Sequence, residues 1–341
     1  MIRTLRTKDY NWNFDTLTGT FARWGQTFQD DPHWSPMGPE ILDIEVTTQC
    51  KGPGGKLCSF CYKANTPSGK NMSYKTFKNI LDKMPNNLMQ IAFGADAQCT
   101  SNPDIWKMME YAREKNIVPN ITVADIDDNV ADRLSRICGA VAVSRYANKN
   151  ICYDSVKRLT DRGLKQTNIH IMVSEETKKQ VLETLKDYIK KDSRLKDMNA
   201  IVLLSLKKKG RGSSHTPLDQ EEFNNIVNYA LDNNVPIGFD SCSAHKFLNA
   251  IKGHDKEQQM TMCTEPCESF GMFSSYINVD GHYFPCSFCE GSHDEFIEGP
   301  NVAECNDFLT DVWNSDKIKA WRGYMSKRKD NNNFNCPIFT V

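Results

Sequence analysis

Between Glu40 and Phe239 the sequence repeats one pattern six times: a short apolar run, then a longer stretch whose apolar residues recur every three or four positions. The runs read as buried strands and the recurrences as helices with one apolar side. Ile41 to Val46 is followed by Phe77, Ile80, Leu81 and Met84, in a helix that Ser73 opens and Pro85 stops. Leu88 to Phe93 leads to Ile105, Met108, Met109 and Ala112, and Ile121 to Ala124 leads to Val130, Leu134 and Ile137. Ala140 to Ser144 precedes Val156 and Leu159; Ile169 to Val173 precedes Val181, Leu182, Leu185 and Ile189; Ala200 to Leu204 precedes Phe223, Ile226, Val227 and Ala230. Strands joined through helices make a parallel sheet, either doubly wound or curling toward a barrel. Nothing in the chain resembles a Gly-x-Gly-x-x-Gly dinucleotide turn, so the expected fold is α/β, a partial (β/α)6 barrel of TIM type.

The pattern divides the 341 residues into three. Residues 1–39, with Trp12, Phe14, Phe21, Trp24, Phe28 and Trp34, read as an aromatic arm packed on the main domain. Residues 40–240 form the barrel. Residues 241–341 are irregular and hold seven of the thirteen cysteines, which marks a cysteine-rich C-terminal extension. Lysine plus arginine total 42 against 43 acidic residues, so there is no bulk field for a polyanion or a membrane surface, and nucleic acid is not an expected partner. With no signal-peptide core at the start and no apolar stretch of membrane-spanning length, the expected location is the cytoplasm.

An odd number of cysteines in a reducing compartment points to metal or redox chemistry rather than to disulfides. Cys50, Cys58 and Cys61 lie directly after the first strand, at the end where parallel sheets carry their ligands. Three thiolates in one loop can hold three irons of a [4Fe–4S] cluster and leave the fourth open for chemistry. The competing reading is a zinc knuckle, which wants a second pair or histidines nearby; within forty residues only Cys99 follows.

Strand, three-cysteine loop, an aromatic before the last cysteine and repeated βα units together resemble the radical S-adenosylmethionine (radical SAM) family. The usual loop there is C-x-x-x-C-x-aromatic-C. Cys58-Ser-Phe60-Cys61 matches its second half, while Lys51 to Leu57 puts seven residues where the family has three; Gly52-Pro53-Gly54-Gly55 can turn the extra residues out and return the chain. The resemblance implies that Phe60 stacks near adenine. It also implies that Gly94 and Asp96 of Phe93-Gly-Ala-Asp96 hold the methionine ammonium, and that Ser144-Arg145 lies near the ribose and carboxylate.

The C-terminal residues extend the likeness. Phe273 to Cys286 reads as a β-hairpin about Asp280-Gly281. Thirteen residues separate Cys267 from Gly281 and four separate Gly281 from Cys286, a spacing similar to the C-x(9 to 15)-G-x4-C opening of the SPASM or twitch extensions of radical SAM enzymes. Phe308 to Arg322 looks like the helix that follows there. The resemblance implies one auxiliary [4Fe–4S] cluster, with Cys263, Cys267, Cys286, Cys289 and Cys336 as five candidates for four positions. A zinc ribbon from Cys263/Cys267 and Cys286/Cys289 is the rival.

The implied activity is reductive cleavage of S-adenosylmethionine to a 5′-deoxyadenosyl radical that takes hydrogen from a substrate. A peptide or protein side chain is the first choice of substrate and a sugar or nucleotide derivative the second. The implied electron donor is a flavodoxin or ferredoxin. A non-catalytic iron–sulfur or zinc protein is the alternative of another class. Asp240 and Cys242, after a seventh short strand, are candidates for proton acceptor and hydrogen-atom donor. Lys207 to Arg211 reads first as a solvated loop and second as an anion site; Cys99, Cys138, Cys152 and Cys305 read as structural.

Overall fold

The computed structural model describes residues 1–8, 10–17, 19–27, 30–331 and 333–341; Phe28 of the aromatic arm lies outside them. The arm is more regular than its sequence suggests. β1 (Ile2–Arg6), β2 (Asn11–Asp15) and β3 (Phe21–Trp24) pair antiparallel as a small sheet. Alternation in β2 turns Trp12 and Phe14 inward, where with Tyr10 they pack on Met89 and Val118. The Trp12 indole donates to Asn87 at 2.9 Å, fixing the small sheet to the main body.

Seven parallel strands then stand side by side in the order the chain makes them: β4 (Ile41–Glu45), β5 (Gln90–Gly94), β6 (Val118–Val123), β7 (Ala140–Ser144), β8 (Gln166–Val173), β9 (Ala200–Ser205) and β10 (Ile237–Phe239). Between them run α1 (Tyr74–Lys83), α2 (Ile105–Glu114), α3 (Asp128–Ile137), α4 (Lys149–Thr160), α5 (Lys178–Ile189) and α6 (Gln220–Asp232). Ser73, Asp127 and Asp219 cap α1, α3 and α6 by accepting from the third backbone N–H beyond.

Period-2 alternation gives the two faces of this sheet different lives. Leu42, Ile44, Ile91, Phe93, Ile121, Val123, Val141, Val143, Ile169, Ile171, Ile201 and Leu203 form one core with the apolar sides of the six helices. Asp43, Gln90, Asn120, Ser144, Asn168 and His170 point the other way and are half-buried. All six helices therefore cover one face, whereas a doubly wound sheet would have helices on both.

After β10 come α7 (Ala244–Ala250) and α8 (Glu257–Met262), then the hairpin of β11 (Ser274–Ile277) and β12 (Tyr283–Phe284). Its turn uses Gly281 at φ +87°, and Gly281 N donates to Asn278 O at 2.9 Å. β11 also pairs parallel with β4, Ser274 opposite Ile41, so nine strands form one sheet with β10 and β12 at its edges. The last helix, α9 (Asp316–Asp330), buries Arg322, whose guanidinium donates to the carbonyls of Gly271 (2.8 Å) and Trp313 (2.9 Å). No described helix is long and apolar enough to cross a membrane.

The strand-to-loop junction at β4 depends on one buried amide. Asn102, 1% exposed, donates to Val46 O (2.7 Å) and Met72 O (3.0 Å) and accepts from Asp104 N (2.9 Å). Asn102→Ala removes a donor from each of these carbonyls, of which Val46 O keeps Met72 N at 2.9 Å, and is expected to lower unfolding free energy by about 1–3 kcal/mol, read from urea denaturation.

Candidate active site

The cysteine loop after β4 is tied off at its base, where Cys50 N donates to Thr66 O at 2.9 Å. The extra residues fold into a short turn at Pro53–Gly55. Gly52 has φ +74°, and a Cβ there would stand 1.9 Å from Lys56 O, so only glycine serves. Two side chains from neighbouring loops hold the turn: Asp125 accepts from Gly54 N (3.1 Å) and Gln98 donates to Gly52 O (3.0 Å). The Cys50 sulfur accepts from Gly52 N at 3.3 Å. Cys58 and Cys61 shift each other in opposite directions: Cys61 is held well below the usual thiol range against the effect of burial, helped by the N–H groups of Asn65 and Lys63 and the Arg211 guanidinium, and Cys58 is pushed up.

Lys207 to Arg211 is not a solvated loop. Arg211 donates through Nε to Cys58 O (2.8 Å), through Nη1 to Asn65 O (3.0 Å) and through its backbone N to Cys61 O (3.0 Å). Gly210 sits so close that a Cβ would be 2.4 Å from Tyr62 O. Lys209 donates to the carbonyls of Ser287 (3.4 Å), Phe288 (3.0 Å) and Glu290. Lys207, 4% exposed, is ion-paired with Asp240; burial acts to lower its pKa, and the carboxylate more than reverses this. One short loop thus grips both cysteine loops. The two also touch directly: Tyr62 stacks on Phe288 with ring centres 4.2 Å apart, and Lys63 joins Glu45 (3.2 Å), Tyr276 OH (2.7 Å) and Glu290.

The other expected site residues fall in several places. Gly94 ends β5, and a Cβ there would be 3.2 Å from Glu45 Cα. Asp96 is buried and accepts from the backbone N–H groups of Gln98 (3.2 Å), Thr100 (3.0 Å) and Ser101 (3.0 Å), shaping its own loop and leaving one lone pair on Oδ2. Phe60 stacks on Tyr146 (5.5 Å) with His215 at its edge (6.0 Å). Ser144 is on the half-buried face. Arg145 points to the helix side: its Nη2 donates to Glu183 of α5 at 2.6 Å beside Tyr153 of α4, while Nε and Nη1 are buried without a hydrogen-bond partner among the described residues. Ser144, not Arg145, is what this strand end offers to the half-buried face.

Asp240 and Cys242 follow β10, but neither stands free. Asp240 accepts from Ser205 N (3.2 Å), Ser243 Oγ and Lys207. The Cys242 thiol is pushed up by Cys336 together with burial, while Lys207 pulls it down. Cys286 and Cys289 are 3.3 Å apart, and Cys267 and Cys336 are their electrostatic neighbours. Cys263, at the end of α8, is exposed and apart from this group. Cys99, Cys138 and Cys152 are buried in the main core. Among the described residues no three His, Cys, Asp or Glu side chains converge as ligands of a single ion.

Sequence patterning missed three groups. Tyr146 covers Phe60 and hydrogen-bonds Ser144 and Cys58. His170 and Asp43 sit on the half-buried face, where burial pushes the imidazole down to about 4, against the pull of Asp240, and the carboxyl up to about 6. Their signal was available: a polar residue at alternate positions of an otherwise apolar strand.

No family model and no curated protein matches the chain. Solved structures do. SuiB of Streptococcus suis superposes over 100% of this chain and 99% of its own, with TM-score 0.69 and 12% identity. The fold is that of SuiB. In its complex with the precursor peptide SuiA, SuiB matches over 85% of this chain and 67% of its own, with TM-score 0.65 and 17% identity. Coproporphyrinogen III oxidase of Escherichia coli, a radical SAM enzyme, also matches, over 58% of this chain and 52% of its own, with TM-score 0.41 and 14% identity.

The low-lying Cys61 thiol gives a test in metal-free protein. Alkylation by iodoacetamide is expected to reach Cys61 at a pH below the range of a free thiol, with Cys58 reacting only at higher pH. Arg211→Ala should move the Cys61 midpoint upward, as peptide mapping of the labelled sites over a pH series can show.

Proposed function

We propose that this chain is a radical SAM enzyme acting on a peptide or protein side chain, with electrons supplied by a flavodoxin or ferredoxin in the cytoplasm. The observation that carries the reading is the placement of Cys50, Cys58 and Cys61 at the carboxyl end of a parallel sheet, with Cys61 already favouring the thiolate. The donor set suits a [4Fe–4S] cluster with one iron lacking a protein ligand, and the thiols around Cys336 suit a fully ligated second cluster. When bound, the first cluster and S-adenosylmethionine supply a 5′-deoxyadenosyl radical.

The rest is the work of the chain. Gly94 admits close backbone approach, and the remaining lone pair of Asp96 can accept from the methionine ammonium. Tyr146, stacked on Phe60 of the cysteine loop, follows Ser144 at the end of β7 by two residues. In a flat sheet β4 and β9, five strands apart, would be about 24 Å from each other. Arg211 N nonetheless bonds Cys61 O, and the six helices share one face, which supports a partial (β/α)6 barrel with the site inside its curve. Within this reading residues 40–240 are the barrel and 241–341 the auxiliary-cluster extension. The peptide substrate class is supported by the likeness to SuiB with its precursor peptide.

Anaerobically reconstituted protein should bind about eight irons per chain, falling to about four when Cys50, Cys58 and Cys61 are replaced together by Ala. Reduced protein should form 5′-deoxyadenosine from S-adenosylmethionine, and the triple variant should not. Zinc in place of iron in protein purified without oxygen would overturn the reading. Asp96→Ala should weaken S-adenosylmethionine binding roughly 10- to 100-fold, the effect of losing one partner of a charged hydrogen bond, as measured by calorimetry.

A further inference from the structure

We propose that Arg211 sets the reduction potential of the cluster held by Cys50, Cys58 and Cys61, as a fixed positive charge that favours the reduced, more negative state. The inference rests on the proposed function for the presence of that cluster and concerns how readily it accepts an electron. Arg211 lies in Gly210-Arg-Gly212, part of a short 3-10 turn after β9 (Gly210–Ser214). Side chains on the two glycines would press on the cysteine loop: a Cβ at 210 would stand 2.4 Å from Tyr62 O and 2.6 Å from Cys61 O, and one at 212 would stand 3.2 Å from Phe60 O. The backbone of the turn therefore lies against that loop. Arg211 reaches it three times, from N to Cys61 O (3.0 Å), from Nε to Cys58 O (2.8 Å) and from Nη1 to Asn65 O (3.0 Å).

What sets this cation apart is that no anion stands beside it. Lys63 is paired with Glu45 and Glu290, and Lys207 with Asp240. Lys51 and Lys56, within the cysteine loop itself, are exposed, where water and salt screen them. Arg211 is half-buried, and among the described residues its guanidinium meets carbonyl oxygens and no carboxylate. Its charge is left over at the loop that carries the three cysteines. A guanidinium keeps its proton at every ordinary pH, so that charge is permanent. Reduction passes one electron from the external donor to the cluster, with no bond made or broken and no proton moved, so the cluster gains one negative charge. A cation held close in partly desolvated surroundings stabilises the reduced form more than the oxidised one, which raises the potential. Arg211 is thus a positioning residue, acting on the cluster and not on the substrate.

The test is a redox titration of the reconstituted full chain followed by EPR, which needs neither substrate nor turnover. The first cluster's signal is the part that disappears when Cys50, Cys58 and Cys61 are all replaced by Ala; the remainder belongs to the C-terminal set. Arg211→Gln keeps an amide donor and loses the charge. At the potential where the parent cluster is half reduced, its ratio of reduced to oxidised cluster should fall about tenfold, which is ~59 mV for a one-electron couple. Arg211→Lys keeps the charge and should titrate close to the parent, and the C-terminal signal should not move in either variant. Iron content and circular dichroism show whether each variant is loaded and folded, and Arg211→Met supplies the neutral comparison if Arg211→Gln does not load. An unchanged potential in the neutral variants, an equal fall in Arg211→Lys, or a parallel shift of both signals overturns this assignment alone. Loss of the first cluster from both neutral variants shows a role in assembly instead and also overturns it. A parent chain whose iron does not fall in the triple Ala variant overturns the first cluster itself, and the inference with it.

Discussion

The arrangement of the site depends on cations that donate to backbone carbonyls. Lys209 and Arg211 each reach a different cysteine-bearing loop, and Lys207, two residues back, anchors the strap to Asp240 at the end of β10. Bonds from a charged donor to a carbonyl are stronger than neutral ones, and they fix loops that have no ladder of their own. They also carry charge. The Arg211 guanidinium favours the thiolate of Cys61 and the Lys207 ammonium that of Cys336, each against the effect of burial. Without this strap, the loop after β4 and the loop after β12 would be joined chiefly through Tyr62, Lys63 and their partners.

What the sequence disclosed follows from what periodicity can encode. Each of the first six parallel strands lies within a residue or three of its apolar run, because one face of every strand must meet a helix. β6 begins at Val118 rather than Ile121, since Pro119 and Asn120 interrupt the run without interrupting the strand. The arm was harder to read: its strands have four or five residues each, and turn-formers between them mask the alternation of Trp12 and Phe14. The cysteine spacings and the Asp280-Gly281 turn are local signals and were legible. Partnerships across long separations were not. A run of lysines looks the same whether it meets water or the carbonyls of a loop eighty residues on, and Cys242 shows no spacing relation to Cys336. Asp96 and Arg145 illustrate a further limit, because a residue type suited to a ligand is equally suited to its own loop or to a neighbouring helix.

The two faces of the sheet offer unequal surroundings. The helix-covered face is a continuous apolar core that holds the strand ends in place. The opposite face keeps polar groups in a partly desolvated setting, where His170 stays neutral and Asp43 takes up a proton more readily than a surface carboxylate.

The parallel pairing of β11 with β4 has a consequence for how the protein comes to be. The first strand of the large sheet has its outer neighbour more than two hundred positions later in the chain. During synthesis β4 therefore presents an unpaired apolar edge while the rest of the sheet assembles beside it, the condition under which chains stick to one another. Closing so long a loop is slow, because its entropy is lost before any contact compensates. Maturation of this chain is thus set by its last hundred residues, and a nascent chain halted before the hairpin is a natural client for a chaperone.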